Sequence, residues 1–166
     1  MSHEHHQTGD RSEINCRVIT VSDSRSLSDD PSGDLIAKLL VDAGYSLLDR
    51  LLVKDDPGQI STALDDSMDA DAVVLTGGTG LTERDITWKV IEQYADEPLP
   101  AFATLFTQLS YQQVGAAAVL SRARAGVCRA PNRVIFALPG SSRACELAVK
   151  EIIVPQLAHL LKHLSN

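Results

Sequence analysis

Apolar and polar positions along the chain repeat one theme: a short apolar run, a polar or glycine-containing turn, and then apolar residues at helical spacing. The apolar and β-branched runs predict strands. They cover residues 16–21, 45–53, 72–76 and 133–138. The run at 72–76 is apolar up to its last residue, which is typical of a central strand covered on both faces.

Helical spacing of apolar residues predicts helices between and after these strands. They cover residues 34–43, 57–67, 85–94 and 102–109, followed by a final helical region through residue 164, interrupted or kinked at Pro155. Residues 119–125 carry a weaker pattern and receive no element. Alternating strands and helices imply parallel strands joined by right-handed crossovers. The predicted fold class is therefore α/β, a three-layer sandwich with a mostly parallel β-sheet and helices on both faces.

A single domain accounts for most of the chain. Residues 1–13 are polar, hold three of the five histidines and lack apolar periodicity, so they predict a flexible N-terminal arm. Residues 14–166 predict one domain, long enough to bury an apolar core without disulfide or metal support. The apolar runs are too short for a membrane span and the first residues offer no signal core, so we expect a cytoplasmic protein.

Charge and cysteine usage narrow the function classes. The net charge of −7 argues against a nucleic-acid binder, and the three cysteines show neither a disulfide framework nor zinc-ligand spacing. Acidic side chains dominate residues 23–97, whereas basic ones dominate residues 101–166. This distribution favours a cation bound within the acidic segment. It also favours contact of the basic segment with an anionic substrate or with the acidic surface of a neighbouring subunit.

Polar sequence follows four of the predicted strands. The segments are Ser22-Asp23-Ser24-Arg25, Lys54-Asp55-Asp56-Pro57-Gly58, Thr76-Gly77-Gly78-Thr79-Gly80 and Pro139-Gly140-Ser141-Ser142. In open α/β sheets, ligands bind outside the carboxyl ends of the strands. If the strands are parallel, all four segments converge on one edge of the sheet, which is where we expect the functional site.

The glycine cluster Gly77-Gly78-Thr79-Gly80 is the most informative segment. Glycines allow a positive φ and remove side chains, so successive N–H groups can close around an anionic oxygen. The cluster is not a Walker A loop, because no Gly-Lys-Ser/Thr follows, and it lacks the third glycine of the dinucleotide motif, since residue 83 is Glu. The alternative is a tight turn selected for its backbone geometry alone.

Two carboxylates are candidates for metal binding. Asp55 stands at a strand end without an obvious structural task, whereas Asp56 before Pro57 is typical of a helix N-cap. Asp85 follows the glycine cluster, and its alternative role is a helix cap or a capping box with Thr82. Carboxylates beside an anion pocket predict Mg²⁺, which binds hard oxygen ligands together with substrate phosphates. The constellation predicts a Mg²⁺-nucleotide or another polyphosphate.

Other polar residues remain open between a binding role and a structural one. Ser22, Asp23 and Arg25 either contact the ligand or form a turn, and Pro139-Gly140-Ser141 either contacts an anion or caps a helix. Trp88 covers a ligand ring or, as we favour, fills the core. The i, i+4 pair His159 and His163 lacks a third zinc ligand, which favours surface histidines.

The same segments resemble a known family. T-G-G-T-G at 76–80, T-E-R-D-I-T at 82–87, T-V-S-D-S-R at 20–25, V-K-D-D at 53–56 and L-P-G-S at 138–141 resemble the MoaB/Mog family of molybdenum cofactor biosynthesis proteins, over about residues 15–160. Q-L-S-Y at 108–111 and L-S-R-A at 120–123 resemble its MoaB branch. Lys54 and Trp88 depart from the prolines that are common at their positions in the family.

The resemblance implies a trimer or hexamer of this chain that binds molybdopterin as its substrate, with other proteins of the pathway as possible partners. In catalytic members, Mg²⁺ and ATP are used to transfer AMP to the terminal phosphate of molybdopterin. Asp55 and Asp85 match the two essential acidic positions, 77–80 the phosphate-binding loop, and Ser110 and 139–141 pocket-lining segments. Alternatives are a non-catalytic MoaB-like protein that carries a pterin or nucleotide, or another nucleotide-dependent transferase.

Overall fold

The computed structural model describes residues 10–166, which form one mixed six-stranded sheet flanked by helices. The strand order is β2-β1-β3-β6-β5-β4. The strands are β1 (Asn15–Val21), β2 (Ser46–Val53), β3 (Ala72–Thr76), β4 (Glu97–Pro98), β5 (Arg124–Arg129) and β6 (Asn132–Leu138). β2, β1, β3 and β6 are mutually parallel, and β5 and β4 continue the sheet in antiparallel pairing. The predicted mostly parallel α/β fold is confirmed.

Helices cover both faces of the sheet. They are α1 (Pro31–Asp42), α2 (Pro57–Asp65), α3 (Thr87–Ile91), α4 (Pro100–Val114), α5 (Ser142–Ala148) and α6 (Val154–Leu164), with 3-10 turns at Arg11–Glu13 and Gly115–Leu120 and a π turn at Val149–Ile153. Val18 and Ile19, adjacent in β1, belong to two separate cores. Because successive strand residues point to opposite faces, each buried strand supplies both cores. One core lies under α1, α4, α5 and α6, the other under α2 and α3.

The sequence pattern did not predict β5. Its sequence, R-A-G-V-C-R, has charged ends and a central glycine, so it lacks the apolar run of the other strands. The glycine has a packing reason, because a Cβ at Gly126 would lie 2.8 Å from Cβ of Ala95. The local sequence has only a weak preference for a strand, and pairing with β6 forms and buries β5.

Three predicted boundaries are corrected. The helix expected over 85–94 is only Thr87–Ile91, and the one expected over 102–109 extends from Pro100 to Val114. The final helical region is interrupted by the π turn Val149–Ile153. Pro155 follows that turn and lies in the first turn of α6. Proline is tolerated there because an N–H in the first turn of an α-helix has no acceptor within that helix, so its absence breaks no bond of α6.

Part of the predicted N-terminal arm is attached to the domain. Asp10 caps the turn Arg11–Glu13, and Arg11 donates to the carbonyl of Ala43 at 3.2 Å and lies over the ring of Tyr45. Residues 1–9 of the arm lie outside the described residues. Within residues 10–166, no helix is long and apolar enough to cross a membrane.

Candidate active site

The four polar segments meet at the carboxyl edge of the parallel strands. The amide of Ser22 donates to the carbonyl of Val53 at 2.9 Å, and the amide of Gly77 donates to that of Leu138 at 3.1 Å. These bonds join the ends of β1 to β2 and of β3 to β6. β2 lies on one side of β1, and β3 lies on the other side of β1. The strand order therefore reverses between β1 and β3. Open α/β sheets bind ligands at such a topological switch point, at the carboxyl ends of the strands.

The glycine cluster forms a loop that only glycine can make. Gly77 and Gly78 have φ values of +96° and +64°. A Cβ at Gly77 would overlap the carbonyl oxygen of Val21, and one at Gly78 would overlap Oγ1 of Thr87. Thr87 fixes the loop, since its hydroxyl donates to the carbonyl of Gly77 at 3.0 Å and its amide to that of Gly78 at 3.1 Å. The sequence pattern did not single out Thr87, although it lies within the T-E-R-D-I-T segment.

Asp55 lies directly against this loop. A Cβ at Gly78 would be 2.9 Å from Oδ1 of Asp55, and this buried oxygen has no hydrogen-bond partner within the described residues. The Asp55 amide donates to Oδ1 of Asp23 at 3.1 Å. Burial raises the pKa of the Asp55 carboxyl, and the negative charges of Asp23 and Asp85 raise it further. The positive charge of Arg84 lowers this pKa, but by less than burial and the two carboxylates raise it. A bound cation would supply the missing positive charge.

Asp85 faces the other end of the loop. Its Oδ2 accepts hydrogen bonds from the amide of Thr82 at 2.8 Å and from its hydroxyl at 2.6 Å. The Thr82 hydroxyl lowers the pKa of Asp85, as do the amides of Gly80 and Thr82. The predicted alternative of a helix cap is wrong, because α3 begins at Thr87 and has no side-chain cap. The Thr82 contact expected of the alternative capping box does form, since Asp85 accepts from the Thr82 amide, but it closes a local turn and no helix begins there.

Arg25 reaches the same edge and is held by a buried carboxylate. Its guanidinium contacts Oδ1 of Asp30 and the carbonyl of Gly140, both at 3.3 Å. Asp30 is 1% exposed and also accepts from the Thr20 hydroxyl at 2.5 Å. Asp30 was not predicted, although it precedes a proline at a helix start, as Asp56 does. Ser22 forms the predicted turn, since its hydroxyl accepts from the amide of Arg25 at 3.1 Å.

The segment after β6 connects the site to α4. Ser141 caps α5 by accepting from the Ala144 amide at 3.2 Å, and the Pro139 carbonyl accepts from the Thr76 hydroxyl at 2.9 Å. Ser110 is buried on α4, 3.2 Å from the hydroxyl of Ser121. A cleft of about 190 Å³ is lined by Ser110, Ser121, Pro139 and Ser141. The structure therefore brings Ser110 beside the 139–141 segment.

Several predictions away from the loop are settled. Trp88 is 9% exposed and belongs to the core, and all three cysteines are buried. His159 and His163 are exposed, with their Nε2 atoms 3.1 Å apart. Residues 10–166 contain no group of three or more side chains arranged as a metal cage. Two carboxylates remain sufficient for Mg²⁺, because substrate phosphates and water supply its other ligands.

A switch-point site with a glycine loop and two carboxylates is typical of α/β proteins that bind phosphate-bearing ligands. Residues 17–159 match the family model described as a probable molybdopterin binding domain. The chain therefore belongs to the MoaB/Mog family of molybdenum cofactor biosynthesis proteins, and its function lies in molybdenum cofactor biosynthesis.

Named relatives span nearly the whole chain. Molybdenum cofactor biosynthesis protein B of Bacillus subtilis is 39% identical and covers 99% of this chain and 98% of its own. A probable molybdopterin adenylyltransferase of Methanocaldococcus jannaschii is 38% identical, covering 91% and 94%. The crystal structure of tungsten cofactor synthesizing protein MoaB from Pyrococcus furiosus superposes with a TM-score of 0.85 at 38% identity, covering 92% and 98%.

Proposed function

We propose that this chain is a Mg²⁺-dependent molybdopterin adenylyltransferase. A phosphate oxygen of molybdopterin attacks the α-phosphorus of ATP, a new P–O bond forms, and the bond to the β-phosphate breaks to release pyrophosphate. The observation that carries the proposal is the buried Oδ1 of Asp55 beside the glycine loop, which has no hydrogen-bond partner among residues 10–166. A relative named as a probable molybdopterin adenylyltransferase, 38% identical, supports the same reaction.

Asp55 and Asp85 would hold the metal. The raised pKa of Asp55, caused by burial and by neighbouring carboxylates, indicates a site where a cation removes an unfavourable charge arrangement. The pKa of Asp85 is lowered, so its carboxylate is ionised throughout the neutral range and would be available to the metal. When bound, Mg²⁺ neutralises charge on the transferring phosphate and on the pyrophosphate leaving group.

The loop supplies amides to the phosphates. The amide of Gly77 donates to the carbonyl of Leu138, and the amide of Gly80 donates to Asp85. The amides of Gly78 and Thr79 would therefore be the ones that bind a substrate phosphate. The loop is fixed before substrate arrives, which spares the reorganisation that a flexible loop would need. Arg25 adds a positive charge at the same edge. A phosphate nucleophile is already ionised at neutral pH, so the reaction requires positioning and charge stabilisation without a general base.

We also propose an oligomeric state and a cellular location for this chain. The chain would work in the cytoplasm as a homotrimer or homohexamer, alongside other proteins of cofactor biosynthesis. Exposed apolar side chains on α4 and the turn after it support self-association, including Tyr111, Val119 and Leu120, which are 63%, 81% and 61% exposed. Sedimentation equilibrium of the full chain tests the oligomeric state, and a monomer at micromolar concentration would contradict it.

The direct test incubates purified protein with molybdopterin, Mg²⁺ and ATP and measures adenylylated molybdopterin and pyrophosphate. Formation of both products in equal amounts supports the proposal.

The second candidate is a non-catalytic protein that carries a pterin or nucleotide. It is favoured by the name biosynthesis protein B, without a stated activity, of several relatives. Bound pterin without adenylylated product would establish this second function and overturn the first.

A further inference from the structure

Arg122 reaches the glycine loop from a distant part of the chain. It lies in the short link between the 3-10 turn Gly115–Leu120 and β5. Its Nη1 donates to the carbonyl of Gly80 at 2.8 Å, across 42 residues of sequence. The L-S-R-A segment at 120–123 therefore touches the candidate site, although the sequence pattern assigned no chemistry to its arginine.

The link that carries Arg122 is anchored on both sides of this residue. The hydroxyl of Ser121 lies 3.2 Å from that of Ser110, which is buried on α4, and Ala123 is 2% exposed. The side chain of Arg122 is itself partly exposed. The fold thus holds the guanidinium at the glycine loop and leaves it accessible to a ligand.

The positive charge of Arg122 is not neutralised by an ion pair. Arg25, at the same edge of the sheet, pairs with Asp30 at 3.3 Å, and Arg124 pairs with Glu92 at 3.7 Å. Within residues 10–166, Arg122 forms no ion pair, and its hydrogen bond to Gly80 uses an uncharged acceptor. A guanidinium carries more N–H donors than this one bond occupies, so the others remain for a ligand.

The nearest carboxylate is one of the candidate metal ligands. The Thr82 hydroxyl lowers the pKa of Asp85 most, and the charge of Arg122 lowers it as well, so the guanidinium lies close to this carboxylate without pairing with it. A ligand between them must offer one negative oxygen to the arginine and another to the cation that Asp85 would hold. Polyphosphates do both, because their oxygens bind Mg²⁺ and accept charge-assisted hydrogen bonds from guanidinium groups.

We propose that Arg122 binds the β- and γ-phosphates of the nucleotide, the part that leaves as pyrophosphate. This inference rests on the proposed function, in which ATP donates AMP. When the bond from the α-phosphorus to the bridging oxygen breaks, that oxygen keeps the electron pair and pyrophosphate gains negative charge. Arg122 stabilises this charge and exchanges no proton, because a guanidinium stays charged at neutral pH. The terminal phosphate of molybdopterin shares the chemistry, so the experiments separate the two carriers.

The first test measures binding of inorganic pyrophosphate to the full chain in the presence of Mg²⁺ by isothermal titration calorimetry. We expect Arg122→Gln to weaken this binding at least about tenfold, because a hydrogen bond between two charged groups is lost. Glutamine can still donate to the Gly80 carbonyl, so the loss reports the charge rather than the contact with the loop. Arg122→Lys keeps the charge and should bind pyrophosphate more tightly than Arg122→Gln.

Arg124→Gln is the matched control. It makes the same change in net charge two residues further along the chain, at an arginine that already pairs with Glu92. We expect it to bind pyrophosphate as the parent does. Raising NaCl from about 0.1 M to about 0.5 M should narrow the difference between the parent and Arg122→Gln, since salt screens a partly exposed charge.

Four results of these titrations would overturn the proposal. They are absence of pyrophosphate binding by the parent, unchanged binding by Arg122→Gln, equal weakening by Arg124→Gln, and a lysine variant as weak as the glutamine variant. Phenyl phosphate, a phosphomonoester, distinguishes the carriers. Arg122→Gln should weaken its binding less than that of pyrophosphate, and a larger effect on phenyl phosphate would assign Arg122 to the phosphate of molybdopterin instead.

Steady-state kinetics separate the role of Arg122 from the reaction itself. In Arg122→Gln, we expect the KM for ATP to rise about tenfold and the KM for molybdopterin to stay unchanged. Weakened pyrophosphate binding by this variant, in a chain that fails to adenylylate molybdopterin, would sustain the arginine site and remove the proposed activity. Adenylylation by Arg122→Gln with the parent's kcat and KM for ATP would sustain the activity and overturn the role of Arg122.

Discussion

Gly78 and Asp55 are in contact across the sheet edge, at a distance that excludes any side chain at position 78. A Cβ there would lie 2.9 Å from Oδ1 of Asp55 and would overlap the hydroxyl of Thr87. The glycine therefore does more than permit a turn. It lets the loop backbone approach the carboxylate closely enough for one ligand to contact both.

Gly78→Ala tests this contact. Position 78 has a φ of +64°, and the Cβ of an alanine there would clash with Thr87 and Asp55. We therefore expect the free energy of unfolding to fall by more than about 2 kcal/mol and molybdopterin adenylylation to be lost. Gly115→Ala is the matched control, since φ is +63° but nothing lies within 4 Å of its Cβ. It should lose only about 1 kcal/mol. Urea denaturation measures both, and equal losses would contradict the role of the contact.

Asp55→Asn tests the metal site. The pKa of Asp55 is raised above 3.8, so the folded state loses stability as pH rises from 3.8 through the folded pKa. The neutral variant avoids this loss, so without Mg²⁺ it should be at least as stable as the parent at pH 7. Mg²⁺ should raise the Tm of the parent, less so at acidic pH, and leave Asp55→Asn unchanged.

Asp56→Asn is the control for that experiment. Asp56 caps α2 by accepting from the Gln59 amide at 2.9 Å, and asparagine caps equally well. The control removes one neighbouring negative charge but should keep the Mg²⁺-dependent rise in Tm. If both variants lost this rise, general acidity rather than Asp55 would explain the metal effect.

Thr82→Val tests the local control of Asp85. Removing the hydroxyl that donates to Oδ2 should raise the pKa of Asp85 toward 3.8, as measured by carboxyl-carbon NMR titration. Adenylylation at neutral pH should fall modestly because the carboxylate stays ionised but is less well oriented. Asp85→Asn should reduce turnover by about a hundredfold or more with the fold intact. Undiminished turnover in Asp85→Asn would remove Asp85 from the mechanism.

Asp30→Asn tests the buried support of Arg25. Burial raises the pKa of Asp30, but hydrogen bonds from Thr20, the Gly33 amide and Arg50 outweigh it, so the pKa lies below 3.8. Its contribution to stability is present above pH 3.8 and disappears as pH falls through the folded pKa. We expect Asp30→Asn to lose about 1.5–3 kcal/mol at pH 7 in urea denaturation, because it weakens the hydrogen bonds of a buried charged group whose arginine partners are partly exposed.

Asp34→Asn is the control for Asp30. Asp34 is exposed and also pairs with Arg50, so its loss should be about 0–1 kcal/mol. The difference between the two variants should be smaller at pH 3 than at pH 7, because the contribution of Asp30 to stability falls as pH drops below 3.8. Equal losses at both pH values would show that shape, rather than charge, explains the effect of Asp30→Asn.

The sequence by itself determined the parallel part of the fold, the glycine loop and both candidate carboxylates. These features depend on local properties: apolar runs, helical spacing, and glycines at a strand end. The relatives and the sheet confirm the family and the fold. The roles of Asp55 and Asp85 in binding Mg²⁺ remain predictions, because they concern ligands that only the experiments above can add.

The tertiary structure decided what depends on contacts between distant segments. It placed β5, whose glycine and charged ends conceal a strand, against β6. It joined Asp30 to Arg25. It also buried Oδ1 of Asp55 against Gly78, 23 residues later in the chain, with no hydrogen-bond partner in the part of the chain that the structure describes. Apolar periodicity shows which face of an element is buried, but not which polar atoms meet when separate strands end at the same edge. That meeting is set by the order of the strands in the sheet, and it creates the site.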